Sequence, residues 1–245
     1  MKIIDTHMHL GECKVFDLKV SEEQLFAYME KGGITASIIQ PFPGVLNPVK
    51  VHDQIYALSK QNKGKIYGLA SINPHQDKEL VLNELERTIN KLGFIGIKVH
   101  TVGHALNPLS KDAEVLWQVA SKYKVPIMVH TGPGVPFSLP ANVIPRAEEY
   151  PEVSIILAHA GFGFFSTESI VLAKKYENIY LETSWSPIYD VAWFIKEVPN
   201  KVMFGSDLPE NVLVEIKKFE ELNLSEDIKR KVFYENAAQV FKLKV

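Results

Sequence analysis

His7 and His9 stand two residues apart in "IIDTHMHLGE", at the end of the first apolar run of this 245-residue chain. His100, His130 and His159 close later apolar runs, as do Lys98 and Asp207; His104 follows in a loop, and His52 and His75 lie elsewhere. Imidazole titrates near neutral pH and is the commonest metal ligand. Side chains alternate along a strand, so His7 and His9 point the same way, about 6–7 Å apart, and can reach one ion. With Cys13 as the single cysteine, ligation by histidine and carboxylate is the rich option, a set that suits Zn, Mn, Fe or Ni. A single histidine ending a strand is more often a hydrogen-bonding residue. Five of them at strand ends point to a metal with an open position for catalysis. Cys13 reads as packing.

The elements that would position these residues follow from periodicity. Strands are expected at 2–6, 34–40, 66–72, 94–100, 126–131, 153–160, 178–184 and 201–207, each a continuous apolar run of the kind buried on both faces of a parallel sheet. Between them lie amphipathic stretches. Ser21 reads as an N-cap with Gln24 three residues on, and the pair Gly32-Gly33 stops that helix. The helix over 77–92 carries Leu80, Leu82, Leu85, Ile89 and Leu92. Eight β/α units in one domain, 1–245, predict an α/β fold, a (β/α)8 TIM barrel, whose strand C-termini converge on one catalytic face. A doubly wound sheet would open on a glycine-rich turn, and "DTHMHLGE" is not one. On one strand face, Asp5 sits one step deeper than His7 and is expected to orient a histidine.

Composition narrows the partners. The net charge is -2, with 27 basic and 29 acidic residues and no basic stripe, so no nucleic acid is expected. No apolar stretch suits a membrane span or a signal peptide, which with the lone cysteine suggests a cytoplasmic protein. A homodimer stays open as the assembly.

"DTHMH", "GFIGIKVH", "IMVHTG", "IILAHAG", "MFGSDLP" and "YENAAQVF" stand in the order seen in the amidohydrolase superfamily. The chain resembles its amidohydrolase 2 branch, which includes aminocarboxymuconate semialdehyde decarboxylase. The resemblance implies that His7, His9, His130 and Asp207 bind a divalent metal, zinc first, with Mn, Fe or Ni as alternatives. It makes His159 a further ligand or a catalytic residue, and it favours one metal over a pair bridged by a modified Lys98.

The activity expected on this basis is a metal-dependent hydrolase of a small amide, ester or lactone. Asp207 would be ligand and general base for a metal-bound water, and His159 or the metal would polarise the carbonyl. Lys98, His100 and His104 give the site a positive side that suits an anionic small-molecule substrate. Lys98 equally reads as a buried lysine paired with a group such as Glu182. Trp185 and the loop 131–140 should overhang the same face. The alternatives are a decarboxylase or hydratase of a small aromatic or unsaturated acid, a TatD-like phosphodiesterase, and a non-catalytic binding barrel. Arg87, Arg146 and Arg230 are the only arginines, and only Arg146 is expected near the active face. That scarcity weighs against the lyase, which is expected to clamp carboxylates with arginine.

Overall fold

The computed structural model describes residues 1–243. Its strands are β1 (Ile4–Cys13), β2 (Leu18–Val20), β3 (Ala36–Pro41), β4 (Ile66–Ala70), β5 (Gly96–Val99), β6 (Ile127–His130), β7 (Ile155–Ala158), β8 (Ile179–Glu182) and β9 (Val202–Met203). All except β2 are parallel and pair in sequence order. A parallel bridge joins Met8 to Asp207. Asp207 N–H donates to the His7 carbonyl (2.6 Å) and Thr6 N–H to the Phe204 carbonyl (3.1 Å). These contacts tie the end of the last strand to the first, giving the expected eight-stranded barrel.

The unexpected strand is β2. It pairs antiparallel with the end of β1, Gly11 opposite Val20, in a hairpin that stands beyond the barrel. Three residues, one of them Lys19, carry too little periodicity to announce a strand.

The helices are α1 (Glu22–Lys31), α2 (Pro48–Gln61), α3 (Lys78–Glu86), α4 (Glu114–Tyr123), α5 (Ile144–Glu149), α6 (Ser166–Lys175), α7 (Ile188–Glu197), α8 (Val212–Glu221), α9 (Glu226–Arg230) and α10 (Asn236–Val240). The α1 capping box is present: Gln24 N–H donates to Ser21 Oγ (3.2 Å) and Ser21 N–H to Gln24 Oε1 (2.9 Å). The leucine stripe expected over 77–92 needs correction. Val81, Leu85, Thr88 and Ile89 are buried, with Glu84 among them, whereas Leu80 is 48% exposed. Residues two apart on a helix do not share a face, so Leu80 and Leu82 could not both face the core. The helix also changes to a π-turn at Arg87–Lys91.

Two apolar layers hold the barrel. The larger fills the space between strands and helices. The smaller gathers Ile4, Ile38, Leu69, Met128, Ile156 and Met203 with Val240 and Phe241 at the end of the chain. Two residues further along several strands the same face turns polar, with Gln40 after Ile38 and His130 after Met128. Glu182 likewise follows Tyr180, which packs against the smaller layer. A register shift between Asp5 and Met8 interrupts β1. Ile4 belongs to the smaller layer and Met8 to the larger one, although four residues of regular strand would keep both on one face. This irregularity turns His7 and His9 inward.

Candidate metal centre

His7 is fully buried and its two ring nitrogens have distinct partners. Nδ1 lies 2.8 Å from Glu182 Oε2, and Nε2 lies 3.2 Å from Asp207 Oδ1. His9 repeats the pattern: Nδ1 is 3.3 Å from the Pro41 carbonyl and Nε2 is 3.3 Å from the same Asp207 oxygen. A carbonyl only accepts, and so does an ionised carboxylate, so each Nδ1 carries the proton and each Nε2 presents a lone pair. Two lone pairs and a carboxylate oxygen therefore face one another. That arrangement repels itself unless positive charge sits among them, and it is a donor set that could hold a divalent metal ion. Lys98 Nζ, 2.7 Å from His7 Nε2, and the Gln40 amide, 3.4 Å from His9 Nε2, are the donors in reach.

The electrostatics agree. Burial, reinforced by Lys98, holds His7 well below the usual imidazole range. His9 is lowered by burial against the opposing pull of Asp207. Burial raises Asp207, but His7, His9 and His159 outweigh it and hold the carboxyl well below its usual range. Neutral imidazoles beside an ionised carboxylate are the protonation states that metal binding requires. Burial brings Lys98 down to about 8.

Glu182 organises the next layer. Its carboxylate accepts from His159 N–H (3.1 Å), from Ser184 N–H (2.6 Å) and from the Ser184 hydroxyl (2.9 Å), as well as from His7. Ser184 Oγ, having donated, accepts from His159 Nδ1 (2.8 Å). His159 Nε2 then accepts from His130 Nδ1 (3.1 Å). One carboxylate thus sets the tautomers of three histidines. Gly205 makes room for it: a Cβ there would lie 2.4 Å from Glu182 Oε1. Asp5 does not take the histidine-orienting role expected of it. It accepts from the backbone N–H groups of His7 and Ser206, each at 3.1 Å, and so pins the β1 irregularity to the loop after β9. Burial lifts its carboxyl to about 7.

Among the described residues, the groups that converge closely enough for one ion are His7 with His9 and Asp207, and His7 with His159 and Glu182. His130 stands on the neighbouring wall, stacked on His100 at 4.4 Å, and lies outside both groups. His9, His100, His130, His159 and Asp207 reach an open cavity of about 260 Å³. Its remaining walls include Phe16, Leu18, Phe42, Val102 and Phe162, and His9 stacks on Phe42 at 4.5 Å. Lys98, His104 and Trp185 are not on these walls. Lys98 lies beneath His7, His104 is buried behind His100 with its pKa brought to about 4 by burial, and Trp185 Nε1 donates to Asp207 Oδ2 (2.8 Å). Arg146 is turned away, paired with Glu114 and Glu149 at 2.6 and 2.7 Å.

Sequence reasoning missed Glu182 as the organiser of the histidines. Its signal was present: a lone carboxylate ending an apolar strand. Phe16 and Leu18 went unseen because the hairpin did. The C-terminal rim also concentrates backbone strain. His159, Trp185 and Asp207, following β7, β8 and β9, adopt left-handed φ of 65°, 62° and 68°. Such conformations cost about 1–3 kcal/mol each and cluster at functional sites.

The chain is 27% identical over 232 residues to gamma-resorcylate decarboxylase of Polaromonas sp. (strain JS666 / ATCC BAA-500), covering 72% of this chain and 70% of that one. Its fold matches 2,6-dihydroxybenzoate decarboxylase from Rhizobium, with TM-score 0.79 and 17% identity over 100% of both chains. It also matches 5-carboxyvanillate decarboxylase from Novosphingobium aromaticivorans, complexed with manganese and 4-hydroxy-3-methoxy-5-nitrobenzoic acid. There the TM-score is 0.76, with 15% identity over 99% of this chain and 96% of that one. These relatives are decarboxylases, which overturns the expectation of a hydrolase. Among the described residues no helix is long and apolar enough to cross a membrane. The sequence pattern of the amidohydrolase family, an enzyme family, runs through residues 4–243, and the chain belongs to that family.

Proposed function

We propose that this protein decarboxylates a small hydroxylated aromatic acid in the rim cavity. The observation that carries this reading is the division of the cavity into phenylalanine walls and a histidine–aspartate floor. Apolar walls suit the two faces of a ring, and the floor suits its anionic end. A cavity of about 150 Å³ holds benzene, so one substituted ring fits in about 260 Å³. The substrate named for the curated relative supports the same class.

His7, His9 and Asp207 are assigned as metal ligands, with His130 contributing from the adjoining wall. A divalent ion bound there would supply positive charge to the substrate's carboxylate and phenol oxygens. Manganese is the first metal to test, given the manganese complex of a structural relative, and zinc suits the same donors. The scarcity of arginine then ceases to count against a lyase, because a divalent ion held by these ligands would supply the positive charge at the floor, with Lys98 buried beneath His7. His100 Nδ1 accepts from Gly103 N–H (3.0 Å), leaving Nε2–H as a donor to a substrate oxygen.

The reaction exchanges the carboxylate of a ring carbon for a proton. CO2 leaves, the electron pair of the broken C–C bond stays with the ring, and a proton forms the new C–H bond. We assign proton delivery to His159, which lines the cavity with Nδ1 fixed by Ser184; its Nε2, shared with His130 Nδ1 in the free protein, is the nitrogen that takes up the proton and passes it on. Burial brings its pKa to about 4, and an anion bound alongside raises it toward the range where it can carry a proton.

The test is turnover of mono- and dihydroxybenzoic acids by Mn2+-loaded protein, followed by chromatography of the products. The expected products are CO2 and the corresponding phenols. Inertness toward all these acids, with hydrolysis of an ester or lactone, would overturn the reading.

A further inference from the structure

We infer that Trp185 is a positioning residue that fixes which oxygen of Asp207 faces the metal. This rests on the reading of Asp207 as a ligand. Its carboxylate is divided: Oδ1 faces His7 and His9 at 3.2 and 3.3 Å, and Oδ2 accepts from the Trp185 indole N–H at 2.8 Å. With Oδ2 engaged, Asp207 offers one oxygen to the ion and cannot swing to offer two.

The indole is itself held. Its ring stacks on Phe162 (centroids 6.3 Å apart), and the Trp185 backbone N–H donates to Glu215 Oε1 (2.8 Å), while Asn211 Nδ2 donates to the same oxygen (2.9 Å) and to the Ser206 carbonyl (3.0 Å). Lys218 Nζ pairs with Glu215 Oε2 (2.5 Å) and donates to the Ser186 carbonyl (2.7 Å). Glu215, 1% exposed on α8, thus clamps the loops after β8 and β9 together. Both Trp185 and Asp207 stand in left-handed backbone, φ 62° and 68°, which persists when surrounding contacts over-determine it. Trp185 is 38% exposed, so its ring adds little to the core. A strained, half-exposed tryptophan whose indole N–H bonds a ligand carboxylate is placed for orientation rather than packing.

Trp185→Phe keeps the ring and removes the N–H. Calorimetric titration of the full chain with Mn2+ alone, without substrate, should show affinity about 10- to 100-fold below wild type, with an unchanged melting midpoint. Glu215→Gln keeps an acceptor for Trp185 N–H and should weaken Mn2+ binding less. Equal Mn2+ affinity in wild type and Trp185→Phe overturns the inference, as does loss of the cooperative melting transition in Trp185→Phe. Wild type that binds no Mn2+ overturns it together with the metal-centre reading. Wild type that binds Mn2+ but releases no CO2 overturns the decarboxylase reading alone.

Discussion

Among the described residues there are two buried histidine–glutamate pairs, and they differ in what the second ring nitrogen meets. At the rim, His7 Nδ1 pairs with Glu182 at 2.8 Å. Between α2 and α3, His52 Nδ1 pairs with Glu84 at 2.7 Å. His52 Nε2 accepts from Ser71 N–H (3.0 Å), just beyond β4. Glu84 accepts from Arg87 Nε (2.7 Å) and from its second terminal nitrogen (2.9 Å), while Arg87 also reaches Asp53 (2.6 Å). Every lone pair of that histidine is used, so the cluster pins two helices to the sheet and does no more. His7 Nε2 instead meets charged groups, Asp207 Oδ1 at 3.2 Å and Lys98 Nζ at 2.7 Å. Burial and carboxylate pairing alone do not distinguish the two histidines; a backbone N–H at the second nitrogen of one and exchangeable charged side chains at that of the other do.

This contrast can be broken in several ways. The largest effect is expected at the rim. His9→Ala removes a proposed ligand and should lower Mn2+ affinity by more than about 100-fold, beyond the loss typical of residues behind the ligands, as read by elemental analysis and titration. Next, His159→Asn should retain Mn2+ yet lower kcat about 100-fold, the low end for a lost proton-transfer group. Loss of metal with intact turnover per bound ion would reverse that assignment.

Smaller effects belong to the structural pair. Glu84→Gln should cost about 2 kcal/mol of stability in denaturant unfolding and leave Mn2+ affinity at the wild-type level. The smallest is its pH signature. Burial raises Glu84, but its bonds to His52 and Arg87 win and bring it down to about 2 from an ordinary 4.5. A carboxyl depressed on folding contributes stability that is complete above about 4.5 and is lost as pH falls toward 2. Stability measured across that window should therefore fall less steeply in Glu84→Gln than in wild type.

Much of this was legible in the chain. Continuous apolar runs gave the eight parallel strands because both faces of each are buried, and alternation put His7 and His9 on one side. Three features were not legible, each for a physical reason. The β1–β2 hairpin is held by backbone pairing over three residues and left no periodic trace. The irregularity near Asp5 redirects that carboxylate to backbone N–H groups, which strand alternation alone does not foresee. The pairing of Trp185 with Asp207 depends on two left-handed residues at the ends of different strands, and no local pattern encodes it. The chemistry also outran the motifs: the pattern of the amidohydrolase family is carried by a chain similar to decarboxylases, and the apolar walls come partly from the unforeseen hairpin.

The most direct test of the central claim is CO2 release from 2,6-dihydroxybenzoate by Mn2+-loaded wild type and His9→Ala, measured side by side. The account predicts release by wild type, with the matching phenol as coproduct, and none by His9→Ala. A metal-loaded wild type that releases no CO2, or a His9→Ala protein that releases it equally fast, would contradict it.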